Sequence, residues 1–140
     1  MMKYEFYVKS ARLDRNDYKF PADIAEEFSH LRNIDQETVW IFGMDAANHC
    51  ILKENIYKGS TSQSCCDPKL IFRHLLLAGC TSFVLIHNHP AGDAKPSPED
   101  YTVTQKTKKI GEIVGIELVD HIIISSEGFY SFAEHNALTH

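Results

Sequence analysis

Apolar positions along the chain switch between a period of two and a helical period, and the switches mark out a succession of strands and helices. Tyr4, Phe6 and Val8 alternate with Lys3 and Glu5, which predicts a strand over residues 2–9. Pro21 stands where a first-turn proline is tolerated, and Ile24, Phe28 and Leu31 recur at helical spacing, so a helix is predicted over 21–32. Two apolar runs, Val39-Trp40-Ile41-Phe42 and Cys50-Ile51-Leu52, flank the polar, turn-compatible Asp45-Ala46-Ala47-Asn48 and predict a β-hairpin. Asp67-Pro68 reads as an N-cap and first-turn proline, the apolar run Leu70 to Leu77 as a second helix, and Gly79 as its end. Ser82 to Ile86 is nearly all apolar, the mark of a strand covered on both faces, and it carries His87 to its end. Ser97-Pro98 opens a third helix that runs to about Gly115, with Val103, Thr107, Ile110 and Val114 on one side. Ile116 to Ile124 reads as another strand, which Ser126-Glu127-Gly128 turns toward Phe129-Tyr130.

The succession βαββαβαβ predicts an α/β (α+β) fold, a single three-layer domain with a mixed sheet flanked by helices. A length of 140 residues with no repeat or linker suits one domain over 1–140. A hydrophobic fraction of 44% and a charged fraction of 24% are those of a globular protein in water, and no apolar run reaches the length of a membrane span. Met1-Met2-Lys3-Tyr4-Glu5-Phe6 alternates charged and aromatic residues and lacks the apolar core of a signal peptide, so the expected location is the cytoplasm. Cys50, Cys65, Cys66 and Cys80 form no Cys-x-x-Cys pair and are expected to remain thiols there. A net charge of −5 argues against a nucleic-acid partner, and Lys106, Lys108 and Lys109 read as the solvated side of a helix.

The segment that carries chemistry is His87-Asn88-His89-Pro90-Ala91-Gly92-Asp93-Ala94-Lys95-Pro96-Ser97-Pro98-Glu99-Asp100: His-x-His, seven residues, Ser, two residues, Asp. On a strand His87 and His89 point to one face while Asn88 faces away, so two imidazoles can grip a single ion. Asp100, in the first turn of the third helix, offers a third ligand. Two histidines, one carboxylate and an open position are what a catalytic zinc needs, although the same set suits non-haem iron. Ser97 and Asp100 taken alone would form only a capping box. Asp120-His121 is not a further metal pair, because neighbours on a strand face opposite ways; a local hydrogen-bond role is expected.

These residues resemble the JAMM motif of JAB/MPN metalloproteases, and His87-Asn88-His89-Pro90-Ala91-Gly92-Asp93 is similar to the RadC branch of that family. The resemblance runs from the first helix through Leu118-Val119-Asp120-His121-Ile122-Ile123-Ile124 to Gly128-Phe129-Tyr130-Ser131-Phe132. It implies a JAB/MPN-like fold holding one zinc ion, with Glu37 as the general base on the metal-bound water and Ser97 as hydrogen-bond donor to the tetrahedral oxyanion. Ala91 and Ala94 stand where the RadC pattern more typically has Ser and Pro, and Cys65-Cys66 precedes Asp67-Pro68 where relatives commonly carry a histidine. Full-length RadC proteins look like this domain preceded by a helix-hairpin-helix module, for which the roughly twenty residues before the first predicted helix are too few.

The resulting expectation is a zinc-dependent hydrolase with His87, His89 and Asp100 on the metal and Glu37 and Ser97 in catalysis, cleaving an amide bond in a peptide or protein. A RadC-like protein associated with DNA and a non-catalytic MPN-type interaction module are the alternatives.

Overall fold

The computed structural model describes residues 18–59, 66–90 and 92–138, so the strand predicted over 2–9 lies outside the described residues. Asp23 starts the first helix, α1 (Pro21–Glu27), by accepting the amides of Lys19 and Phe20 on Oδ2 at 2.9 Å each. The predicted helix over 21–32 is shorter than its apolar spacing suggests: Phe28 leaves α geometry at φ −104° and ψ 20°, and Ser29–Asn33 continue as a 3-10 helix. Phe28, Ser29 and His30 are indifferent α-helix formers, and a 3-10 turn brings positions three apart onto one side. Phe28 and Leu31 thereby stay buried together.

The hairpin forms where expected, from β1 (Glu37–Met44) and β2 (Cys50–Gly59). Asp45 Oδ1 accepts the amides of Ala47 and His49 at 2.9 Å each, and Asn48 takes the left-handed conformation at φ 63° that asparagine tolerates. The second helix, α2 (Pro68–Ala78), is capped by the Asp67 carboxylate on the Lys69 amide at 3.0 Å and ends at Gly79 with φ 75°. Next come β3 (Ser82–Asn88), α3 (Pro98–Val114), β4 (Glu117–Ser125) and β5 (Gly128–Ser131).

The sheet has the order β2-β1-β3-β4-β5. It is mixed: β3 and β4 run parallel, joined by α3, and the other neighbours are antiparallel. Side-chain alternation sends Ile41, Phe83, Leu85 and Leu118 to one face, where they pack with Ile71, Phe72 and Leu75 of α2. Phe42, Val84, Ile86, Ile122 and Ile124 go to the other, against Ile24, Phe28 and Leu31. Helices therefore cover both faces, and β3 is buried at every position, as its unbroken apolar run requires. Each large side chain so enclosed contributes roughly 1.5–3 kcal/mol. No helix among the described residues is long and apolar enough to cross a membrane.

The third helix buries Thr107 as expected and otherwise departs from its predicted side. Its buried residues are Thr104, Thr107 and Gly111, Ile110 is only partly enclosed, and Val114 is 41% exposed. Small residues permit a close approach: a Cβ added at Gly111 would collide with the Ile116 carbonyl oxygen. A second irregularity lies in β4, where Phe83 pairs with Leu118 but Val84 with Asp120, leaving Val119 as an extra residue. That bulge reverses the alternation, so His121 faces α3 as Leu118 does.

Candidate metal centre

Three elements meet at one end of the sheet. β3 carries His87 and ends at Asn88, His89 just beyond it still ties its amide to the Ile124 carbonyl at 2.8 Å, and the loop returns the chain to the N-terminus of α3. There Ser97 and Asp100 form a reciprocal capping box: Ser97 Oγ accepts the Asp100 amide at 3.1 Å, and Asp100 Oδ2 accepts the Ser97 amide at 2.8 Å. The same carboxylate reaches both imidazoles, Oδ2 lying 3.2 Å from His89 Nε2 and Oδ1 3.3 Å from His87 Nε2. One ligand atom from each of His87, His89 and Asp100 lies within 4.8 Å of the others, a cluster that can hold a metal ion. The capping box and the cluster are therefore one arrangement.

The hydrogen bonds at the far side of each ring fix which atoms face inward. His89 Nδ1 donates to the Asp93 carbonyl at 2.9 Å, which turns Nε2 toward the cluster. His87 Nδ1 lies 2.8 Å from His121 Nε2, and His121 Nδ1 lies 2.6 Å from the Thr104 hydroxyl. The two inward Nε2 atoms are 3.0 Å apart. Two lone pairs at that separation repel unless a proton or a cation sits between them, and two imidazoles with a carboxylate are suitable ligands for such a cation. The residues present thus fit a bound zinc.

Electrostatics agrees with a preset cluster. Burial alone would raise the Asp100 carboxyl, but the two facing histidines and the Ser97 amide hold it well below the usual carboxylate range. Burial would lower His89, yet its hydrogen bonds to Asp100 and the Asp93 carbonyl, with the charges of Asp100 and Glu37, raise it above the ordinary histidine value. His121 is driven well below that value by burial and by the neighbouring His87.

Glu37 is the first residue of β1. Val39 is paired with His87 in the antiparallel ladder, so Glu37 continues the same face toward His89. Asn88, on the opposite face, anchors that stretch: its Oδ1 accepts both the amide and the hydroxyl of Thr38 at 2.7 Å, and its Nδ2 donates to the Gln36 carbonyl at 2.9 Å. The Asp120-His121 pair has the hydrogen-bonding role expected of it, Asp120 taking the Ser131 hydroxyl at 2.6 Å and the Ala133 amide at 2.9 Å. That His121 and Thr104 bind to each other behind His87 carried no signal in the sequence, since the contact depends on the β4 bulge.

A 119-residue stretch is 37% identical to a UPF0758 protein of Clostridium perfringens, covering 84% of this chain and 52% of that one. Proteins of the same name from Shouchella clausii and Bacillus licheniformis are 36% and 38% identical, over 90% and 86% of this chain and 55% and 54% of theirs. The chain spans about half the length of the curated relatives it matches. A family model described as RadC-like JAB domain matches residues 18–137, and the chain belongs to that family.

Proposed function

We propose that this protein is a zinc-dependent hydrolase of the JAMM type that cleaves an amide bond in a peptide or protein. The observation that carries the reading is the convergence of His87 Nε2, His89 Nε2 and the Asp100 carboxylate on one point, with Glu37 on the same face. His87, His89 and Asp100 hold the ion. The chemistry that zinc supplies when so bound is Lewis acidity, which brings a water toward a pKa of ~7 and polarises a carbonyl.

Glu37 then accepts a proton from the attacking water on its carboxylate as the new C–O bond forms at the amide carbon. It returns that proton to the leaving nitrogen as the C–N bond breaks. Ser97 Oγ already accepts from the Asp100 amide, which leaves its hydroxyl hydrogen for the oxyanion, a donor of the kind that contributes roughly 3 kcal/mol. The reaction belongs in the cytoplasm, where thiols such as Cys50 and Cys80 stay reduced.

Glu37→Gln tests the reading. Assayed on a panel of fluorogenic peptide and isopeptide substrates, the variant is expected to keep its zinc and lose on the order of 10²–10⁴ in turnover. Hydrolysis at the wild-type rate would refute the mechanism.

A further inference from the structure

Behind His87 lies a row of hydrogen bonds whose direction can be worked out from its far end. The Thr104 hydroxyl is 2.6 Å from the Asp100 backbone carbonyl, which can only accept, so Thr104 donates its single hydrogen there. Its oxygen is then left to accept from His121 Nδ1 at 2.6 Å. At mildly alkaline pH, where an imidazole carries a single hydrogen, His121 with that hydrogen on Nδ1 has a lone pair on Nε2, and that lone pair accepts from His87 Nδ1 at 2.8 Å. The His87 hydrogen is thus held on the outer nitrogen, and Nε2 is the atom left to bind an ion.

We propose that His121 and Thr104 are positioning residues of the metal centre, which lock His87 in the tautomer with its hydrogen on Nδ1. Both are sealed from water, at 1% and 0% exposure, so no solvent molecule substitutes for either partner. The ring of Phe132 stacks flat on His121, with centroids 4.8 Å apart and planes 6° apart, and fixes its orientation. Thr104 sits one helical turn beyond Asp100, so the row closes on itself: His87 of β3, His121 of β4, and Thr104 and Asp100 of α3 share one circuit. The rotation of α3 that presents the Asp100 carboxylate is therefore the rotation that sets the His87 tautomer. Outer hydrogen-bond partners of metal-binding histidines typically govern affinity by 10- to 100-fold.

The proposal rests on the metal-centre reading, and its test separates the two. Thr104→Val keeps the shape of the side chain and removes the oxygen that accepts from His121. His121 is then free to carry its hydrogen on Nε2, which obliges His87 to accept at Nδ1 and to carry its own on the inner nitrogen. Long-range ¹H–¹⁵N NMR of metal-free protein at mildly alkaline pH reads the tautomer, and competition with a chromophoric chelator reads zinc affinity. The expected result is the Nδ1–H form of His87 in the wild type, its loss in Thr104→Val with zinc bound about tenfold or more weaker, and recovery of both in Thr104→Ser. A packing role alone would shift unfolding and leave the tautomer unchanged. His87 protonated on Nε2 in the metal-free wild type, or Thr104→Val matching the wild type in tautomer and affinity, would overturn the proposal. Failure of the wild type to bind zinc would sink the hydrolase reading, and the metal-free tautomer would still decide for or against the relay.

Discussion

Asp100 is a half-buried carboxylate and Asp120 a buried one, and their surroundings drive them in opposite directions. Asp100 is held well below the ordinary range because two histidines face it. Asp120 meets only neutral donors, the Ser131 hydroxyl and the amides of Ala133 and His121; burial dominates and raises it, helped by the charge of Glu134. A carboxyl whose folded value is raised favours the native state below its unfolded value near 4, and that advantage is lost as pH climbs through the folded value. Asp120→Asn keeps the oxygen that takes both amides and presents an NH₂ to Ser131, whose hydroxyl can accept. The variant is therefore expected to unfold at higher denaturant than the wild type at neutral pH, with the gap closing toward pH 4; urea titrations at both pH values measure it, and a variant less stable at neutral pH would contradict this account. At this scale the cluster of His87, His89 and Asp100 was legible, because a two-residue step on a strand and a three-residue step at a helix start map directly onto space. His121 was not, since its direction depends on one extra residue in a neighbouring pairing.

The elements that deviate from simple periodicity are those that build the site. α3 turns Thr107 inward as its spacing indicated, but beside it go Thr104 and Gly111 and not Val103, Ile110 and Val114. The helix is placed by what it must reach, the ends of β3 and β4, and small residues let it lie close. Gly111→Ala forces a methyl into the Ile116 carbonyl and is expected to cost about 1–3 kcal/mol. Gly115→Ala meets no atom within 4 Å and carries only the strain of φ 87°, about 1 kcal/mol. Thermal unfolding of the two variants should rank Gly111→Ala as the less stable, and the reverse order would show that the close approach is relaxed at little cost. The Asp67 cap and the hairpin turn were legible because Asp67 and Asp45 accept nearby amides and Asn48 tolerates the left-handed backbone. The early end of α1 was not, since a 3-10 turn and an α turn bury nearly the same spacing of Phe28 and Leu31.

Across the whole molecule, the mixed sheet does one thing that neither strands nor helices do alone. It sets the start of β1 beside the end of β3 and brings the N-terminus of α3 over both, so that residues far apart in sequence share one small volume. Asn88 secures that meeting from the opposite face. The layered fold was legible from the order of elements, and its family from the spacing around His87; the tightness of the cluster was not, because it is a property of pairings. The central claim is that this cluster binds one catalytic ion, and the most direct measurement is zinc content by elemental analysis after dialysis against micromolar zinc. About one zinc per chain is expected in the wild type and in Glu37→Gln, and none in His89→Ala. A wild type that retains no zinc, or a His89→Ala variant that retains as much, would contradict it.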